Sequence, residues 1–174
     1  MTQNLIYGLS ALTIGVGATA FMDVYAWIQK RLFGVPSLDY AMVGRWLGHM
    51  REGRFIHDAI GRARPVRGER TMGWVAHYGI GVMFAAVFLG LWGRGWAFDP
   101  TLWPALGFGT ATVLAPFLIL QPGMGAGVAA ARTPRPNVAR RRSLVAHLSF
   151  GFGLYVAAQV NALWLAQAIP LFGR

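Results

Sequence analysis

Three ionisable side chains interrupt otherwise apolar stretches of this chain: Asp23, His77 and His147. A carboxylate and two imidazoles can relay a proton, bind a cation, or hold a divalent metal through two nitrogens and an oxygen. Polar neighbours extend the set. Gln29 and Gln121 could close it from one side, and His49, His57, Asp58 and Glu69 could add ligands from below. No His-x-x-x-His or Glu-x-x-His pair occurs on one helix, so the spacing does not single out a metal. An Asp–His hydrogen bond between packed helices accounts for the same residues. Nucleophile signatures are missing: there is no Gly-x-Ser-x-Gly, Ser143 and Ser149 have no evident acidic partner, and the chain has no cysteine. No cofactor is expected, a divalent metal being the one open alternative.

The elements that must position these groups follow from composition. Hydrophobic residues make up 55% of the 174 and charged residues 13%, about half the usual share for soluble domains. Four apolar stretches approach the roughly 20 residues that a helix needs to cross hydrocarbon. They run near 5–28, 73–92, 101–120 and 144–168, with long loops at 29–72 and 121–143. The expected fold is therefore all-α, a single transmembrane domain over 1–174 built as a four-helix bundle. At 1.5 Å per residue, Asp23, His77 and His147 all sit roughly 5–8 Å from the same end of their spans. Pro116 falls at this level too, and it should leave the Thr112 carbonyl without its helical donor.

The charges set an orientation. Of sixteen Lys and Arg, nine lie between Lys30 and Arg70 and five between Arg132 and Arg142. Arg94 and Arg174 are the only others. Basic loops face the cytoplasm, so both termini should lie outside. Trp27, Trp46 and Trp74 would form one interfacial belt, and Trp92, Trp96, Trp103 and Trp164 the other. Ala18-Thr19-Ala20 resembles a leader cleavage site, but no basic segment precedes the apolar run, so the first span reads as an anchor. The net charge of +10 suits anionic lipid headgroups. No nucleic-acid motif appears.

Self-comparison suggests a repeat. Gly15-Val16-Gly17-Ala18-Thr19 aligns with Gly107-Phe108-Gly109-Thr110-Ala111, and Val75-Ala76-His77 recurs as Val145-Ala146-His147. Two tandem hairpins related as a parallel repeat would result. Gly8, Ala11, Gly15 and Thr19, with Gly73, Gly81 and Ala85, offer small faces for close helix packing.

The loops have structure of their own. Ser37 is a plausible N-cap, and Tyr40, Val43, Trp46, Leu47 and Met50 share the apolar face of a short interfacial helix. Arg62, Arg64, Arg67 and Arg70, with Arg140, Arg141 and Arg142, are candidates for anionic-lipid binding. The run Gln121-Pro122-Gly123-Met124-Gly125-Ala126-Gly127 follows a helix instead of a strand. Close backbone packing therefore explains it better than a phosphate cradle.

The runs Val43-Gly44-Arg45-Trp46-Leu47-Gly48-His49-Met50, Phe55-Ile56-His57-Asp58, Val66-Arg67-Gly68-Glu69-Arg70, His77-Tyr78 and Gln121 to Gly127 carry a further indication. In them the chain resembles a bacterial family of small inner-membrane proteins catalogued as a domain of unknown function. The resemblance implies a bacterial inner membrane and four helices, and it brings no activity. The expectation is a non-enzymatic, lipid-associated accessory component, in a homo-oligomer or larger membrane complex. The alternatives are a small transporter or ligand-binding protein using the Asp/His cluster, then a membrane metalloenzyme.

Overall fold

A computed structural model describes residues 3–172, with side chains through residue 167. Arg174 lies outside the described residues, as does the side chain of Ala168. Five helices organise the chain: α1 (Gln3–Phe33), α2 (Tyr40–Met50), α3 (Glu69–Trp92), α4 (Leu102–Gly123) and α5 (Pro136–Phe172). There is no strand among the described residues. Helices α1, α3, α4 and α5 are long and apolar enough to cross a membrane. Their outward faces carry exposed Leu12, Val16, Val87 and Leu163, which is how lipid-facing helices differ from a soluble bundle.

α1 packs against both α3 and α5, α4 packs against α5, and α3 meets α4 only slightly. Small residues set these approaches. A Cβ on Gly15 would stand 2.5 Å from the Val82 Cα, and one on Gly109 would stand 2.3 Å from the Gly151 Cα. Ala11, Thr19, Gly81 and Ala85 are buried beside the first of these crossings. Gly8 has open space around it, and Gly73 serves a different contact, with α2.

The end of the bundle with the two long loops, called here the basic end, differs from the far end. At the far end Ile14, Phe88, Leu89, Leu154 and Ala158 form a fully buried core. Asn161 bridges α5 to α1, its Nδ2 donating to Ser10 Oγ (3.3 Å) and its Oδ1 accepting from Thr13 Oγ1 (2.8 Å).

α4 changes geometry half-way, because Pro116 has no N–H and its ring crowds the preceding turn. The Thr112 carbonyl lacks its helical donor, as expected, but it is not left unpaired. It accepts instead from the Ala115 N–H three residues on, at 3.1 Å. Residues Pro116–Leu120 then form a π turn, closed by the Gln121 N–H on the Pro116 carbonyl. Such a bulge widens a helix locally.

α2 begins at Tyr40 with Asp39 as its N-cap, the carboxylate accepting from the Ala41 N–H at 3.0 Å. The cap is therefore not Ser37. α2 also does more than present an apolar face to a surface. It packs on the first turns of α3 through facing glycines, a Cβ on Gly44 falling 1.8 Å from the Glu69 carbonyl oxygen and one on Gly73 falling 1.8 Å from that of Tyr40. Two tryptophans depart from the expected belts. Trp46 is buried, donating from Nε1 to the Phe55 carbonyl at 2.8 Å, and Trp96 is buried against Phe88. The other five are exposed, Trp103 most of all at 79%.

Candidate functional site

At the basic end the four long helices enclose space instead of core. A cavity of about 770 Å³ lies between them, walled by residues such as Met22, Val43, Ile80, Phe84, Leu120 and Phe150. Polar groups enter this apolar wall at Thr19, Tyr25, Gln29, Ser37, Tyr40, His77, Gln121, Ser143 and His147, with Arg141 and Arg142 where α5 emerges. A concave, mostly apolar space with sparse convergent polar groups is the usual form of a ligand site.

Asp23 and His77 meet beside this wall. His77 Nε2 is 3.0 Å from Asp23 Oδ1, as the depth arithmetic led one to expect. Two tyrosines complete the carboxylate. Tyr78 donates its hydroxyl to Oδ2 at 3.0 Å, and Tyr40 donates to Oδ1 at 3.2 Å while its oxygen lies 2.9 Å from His77 Nε2. Tyr40 stacks on the imidazole with ring centres 4.1 Å apart. Burial, with Asp23 beside it, pushes the Tyr40 phenol well above its ordinary pKa, so it remains a donor.

His147 does not join this group. Its Nδ1 pairs with Thr112 Oγ1 at 2.8 Å, at the break in α4, although His77 and His147 line the same cavity. The expected three-residue constellation is thus a Tyr–Asp–Tyr–His cluster on one wall and a separate histidine on another. No three of His, Cys, Asp and Glu come together at metal-binding spacing among the described residues. Gln29 donates to Tyr25 Oη at 2.9 Å. Gln121 donates to Ser143 Oγ at 3.2 Å, and its Oε1 is buried with no partner. A buried acceptor left without a donor costs about 1–3 kcal/mol.

The loop histidines and carboxylates lie below the cavity without contributing to it. His49 Nδ1 and His57 Nε2 are 2.8 Å apart, both rings being buried. Glu69, in the first turn of α3 before its apolar run begins, takes a double contact from Arg45: Nε to Oε2 at 2.9 Å and Nη2 to Oε1 at 2.8 Å. That guanidinium holds the Glu69 carboxyl down at about 2, aided by the Val66 N–H. Asp58 keeps its side chain exposed; its backbone carbonyl faces Gly125, whose φ of +94° and tight surroundings admit no side chain. The glycine-rich run packs as backbone against the first loop. The Gly123 and Met124 carbonyls accept from the His57 and Ile60 N–H groups at 3.0 Å, and a Cβ on Gly123 would strike the Trp46 indole.

The family model described as a protein of unknown function, DUF2938, matches residues 12–161. The chain belongs to the DUF2938 family. The matched stretch takes in every candidate residue named above, from Asp23 to His147. No curated protein and no solved structure matches the chain.

Of the candidate lipid-binding arginines, Arg62, Arg64, Arg67, Arg70, Arg140, Arg141 and Arg142 are all exposed. Arg64 pairs with Glu52 at 2.9 Å, and Arg140 donates to the Ala129 carbonyl at 2.8 Å. Sequence reasoning missed Tyr40, Tyr78 and Thr112 as polar partners and Arg45 as the organiser of the first loop. Arg45 also reaches the carbonyls of Ile60 and Ala63. The signal for Arg45 was present: with His49 it interrupts a largely apolar, glycine-containing helix.

Proposed function

We propose that the chain is a non-enzymatic, multi-pass protein of the bacterial inner membrane that binds an amphiphile of the cytoplasmic leaflet. The ligand would occupy the hollow half of the bundle, and the protein would act as a lipid-associated component of a homo-oligomer or larger complex. One observation carries this reading: the basic half holds an open-sided cavity of about 770 Å³ edged by two arginines, whereas the space of about 550 Å³ beside Leu9, Val160 and Trp164 toward the far end is lined by no charged residue. A cavity of that size fits within the range for small-molecule sites, roughly 300–1,000 Å³. The excess of Lys and Arg in the two long loops supports a cytoplasmic basic end with both termini outside. Exposed Arg62, Arg67 and Arg70 suit an anionic lipid surface there. Each hairpin has a histidine four residues before a crossing glycine, His77 before Gly81 and His147 before Gly151. That correspondence supports a duplicated hairpin with parallel repeats.

The test is extraction into a mild detergent followed by native mass spectrometry. The wild type should retain an amphiphile stoichiometrically, and Ala146→Trp, which fills the cavity, should not. If neither retains one, the proposal fails. The Asp23 cluster favours a second reading, a small proton-linked transporter. In that case Asp23→Asn would keep binding but abolish ligand movement across vesicle membranes.

A further inference from the structure

The hydrogen bonds around His147 fix which of its nitrogens carries the proton. Its Nδ1 faces the Thr112 hydroxyl, and that hydroxyl already donates to the Gly109 carbonyl. A hydroxyl has one proton to give, so the oxygen accepts from the ring, Nδ1 bears the hydrogen, and Nε2 presents a lone pair. Nε2 has no protein partner, yet it is not among the atoms sealed from their surroundings. His147 lines the cavity, and the lone pair is available there. His77 is arranged in the same sense. Its Nε2 is directed at the Asp23 carboxylate, and its Nδ1 has no protein partner.

Positive charge stands at the other end of the same wall. Arg141 and Arg142 line the cavity and form no ion pair among the described residues. His147 lies five residues beyond Arg142 on α5, a rise of about 7.5 Å. The wall thus offers cations at its edge and a hydrogen-bond acceptor one to two turns deeper.

We infer that the cavity selects a ligand joining an anionic phosphate to a hydrogen-bond donor, a hydroxyl or an ammonium, with the phosphate on Arg141 and Arg142 and the donor on His147 Nε2. This rests on the amphiphile reading and specifies its head group. A lipid head group and a free glycerol phosphate share this chemistry; the mostly apolar wall favours the lipid.

The experiment compares two lipids of equal charge in nanodiscs. Phosphatidylglycerol carries hydroxyls beyond its phosphodiester, and phosphatidylmethanol carries none. Binding is read by native mass spectrometry, with Ala146→Trp as the baseline for lipid held on the outer surface. The wild type should prefer phosphatidylglycerol by roughly fivefold, the worth of one ordinary hydrogen bond. His147→Phe should erase that preference while still binding both lipids. His147→Gln, which keeps an acceptor, should restore part of it. Arg141→Gln with Arg142→Gln should weaken both lipids together. Equal retention of the two lipids by the wild type, still dependent on the arginines, would overturn the donor assignment and leave the amphiphile reading standing. Retention of neither above the baseline would overturn both. Displacement of phosphatidylglycerol by millimolar glycerol phosphate would assign the same chemistry to a soluble ligand and overturn the lipid source.

Discussion

His49 Nδ1 and His57 Nε2 face each other at 2.8 Å, and each ring turns its other nitrogen to a backbone carbonyl, Arg64 at 3.0 Å and Gly123 at 3.2 Å. Carbonyls only accept, so both outward nitrogens must carry protons. The inner contact needs a third. The junction between the two basic loops is complete only when the pair shares one extra proton. His57→Leu leaves His49 Nδ1 buried without a partner, at a cost of about 1–3 kcal/mol. His57→Gln can donate to that nitrogen without charge and should cost less. Hydrogen exchange at the Ile60 amide, which bonds to Met124 across the junction, measures the difference. Equal exchange in the two variants would rule out a role for the shared proton.

The Asp23 carboxylate takes three contacts, from Tyr40, His77 and Tyr78. Asp23→Ala strands all three donors and should lower stability by about 2–4 kcal/mol, whereas Asp23→Asn keeps one acceptor and should lose about half as much. Thermal unfolding followed by gel filtration in detergent reports both. Equal losses would show that the charge, more than the shape, holds the cluster.

Glycine contacts make the sharpest contrast. Gly73→Ala drives a methyl to 1.8 Å from the Tyr40 carbonyl oxygen, whereas Gly79→Ala meets nothing within 4 Å. The first should destabilise by about 1–3 kcal/mol or more. The second should change stability by less than about 0.5 kcal/mol. Because Tyr40 opens α2, Gly73→Ala should also loosen the Asp23 cluster, visible as a changed fluorescence of the adjacent Trp74.

Acid should release the Arg45–Glu69 pair. The folded-state carboxyl sits at about 2, below its ordinary 4.5. A lowered carboxyl pKa means that its stabilisation is fully present above pH 4.5 and fades as pH falls from there through about 2. The stability gap between wild type and Glu69→Gln should therefore be constant from pH 7 to 5.5 and narrow on further acidification. A gap that widened in acid would contradict the assignment.

The membrane-length helices were legible because an uninterrupted apolar run of that length has few other uses. Depth along a helix was legible too, since 1.5 Å per residue needs no partner, and it brought Asp23 to His77. Azimuth was not. His147 shares their level but faces the break in α4, and nothing in its spacing reveals that. Tyr78 carries no signal beyond its place next to His77, and Tyr40 counts as apolar in periodicity, which hides its hydroxyl. Trp46 was assigned to a lipid interface for the same reason, when its N–H instead ties the first loop to Phe55. Ser37 has a capping side chain, but α2 starts at Tyr40, which puts Asp39 at the cap instead.

The Pro116–Leu120 π turn has a consequence for how this molecule responds to its surroundings. It lies where Pro116 and Leu120 wall the cavity, on a helix that α3 meets only slightly. A ligand held there, as proposed, would bind the folded chain alone and stabilise it by mass action, about 2.7 kcal/mol at a hundredfold excess over its dissociation constant. Melting temperature would then be a property of the lipid supplied as much as of the sequence. Delipidation would soften the basic half first, while the far core of Phe88 and Leu154 stays intact.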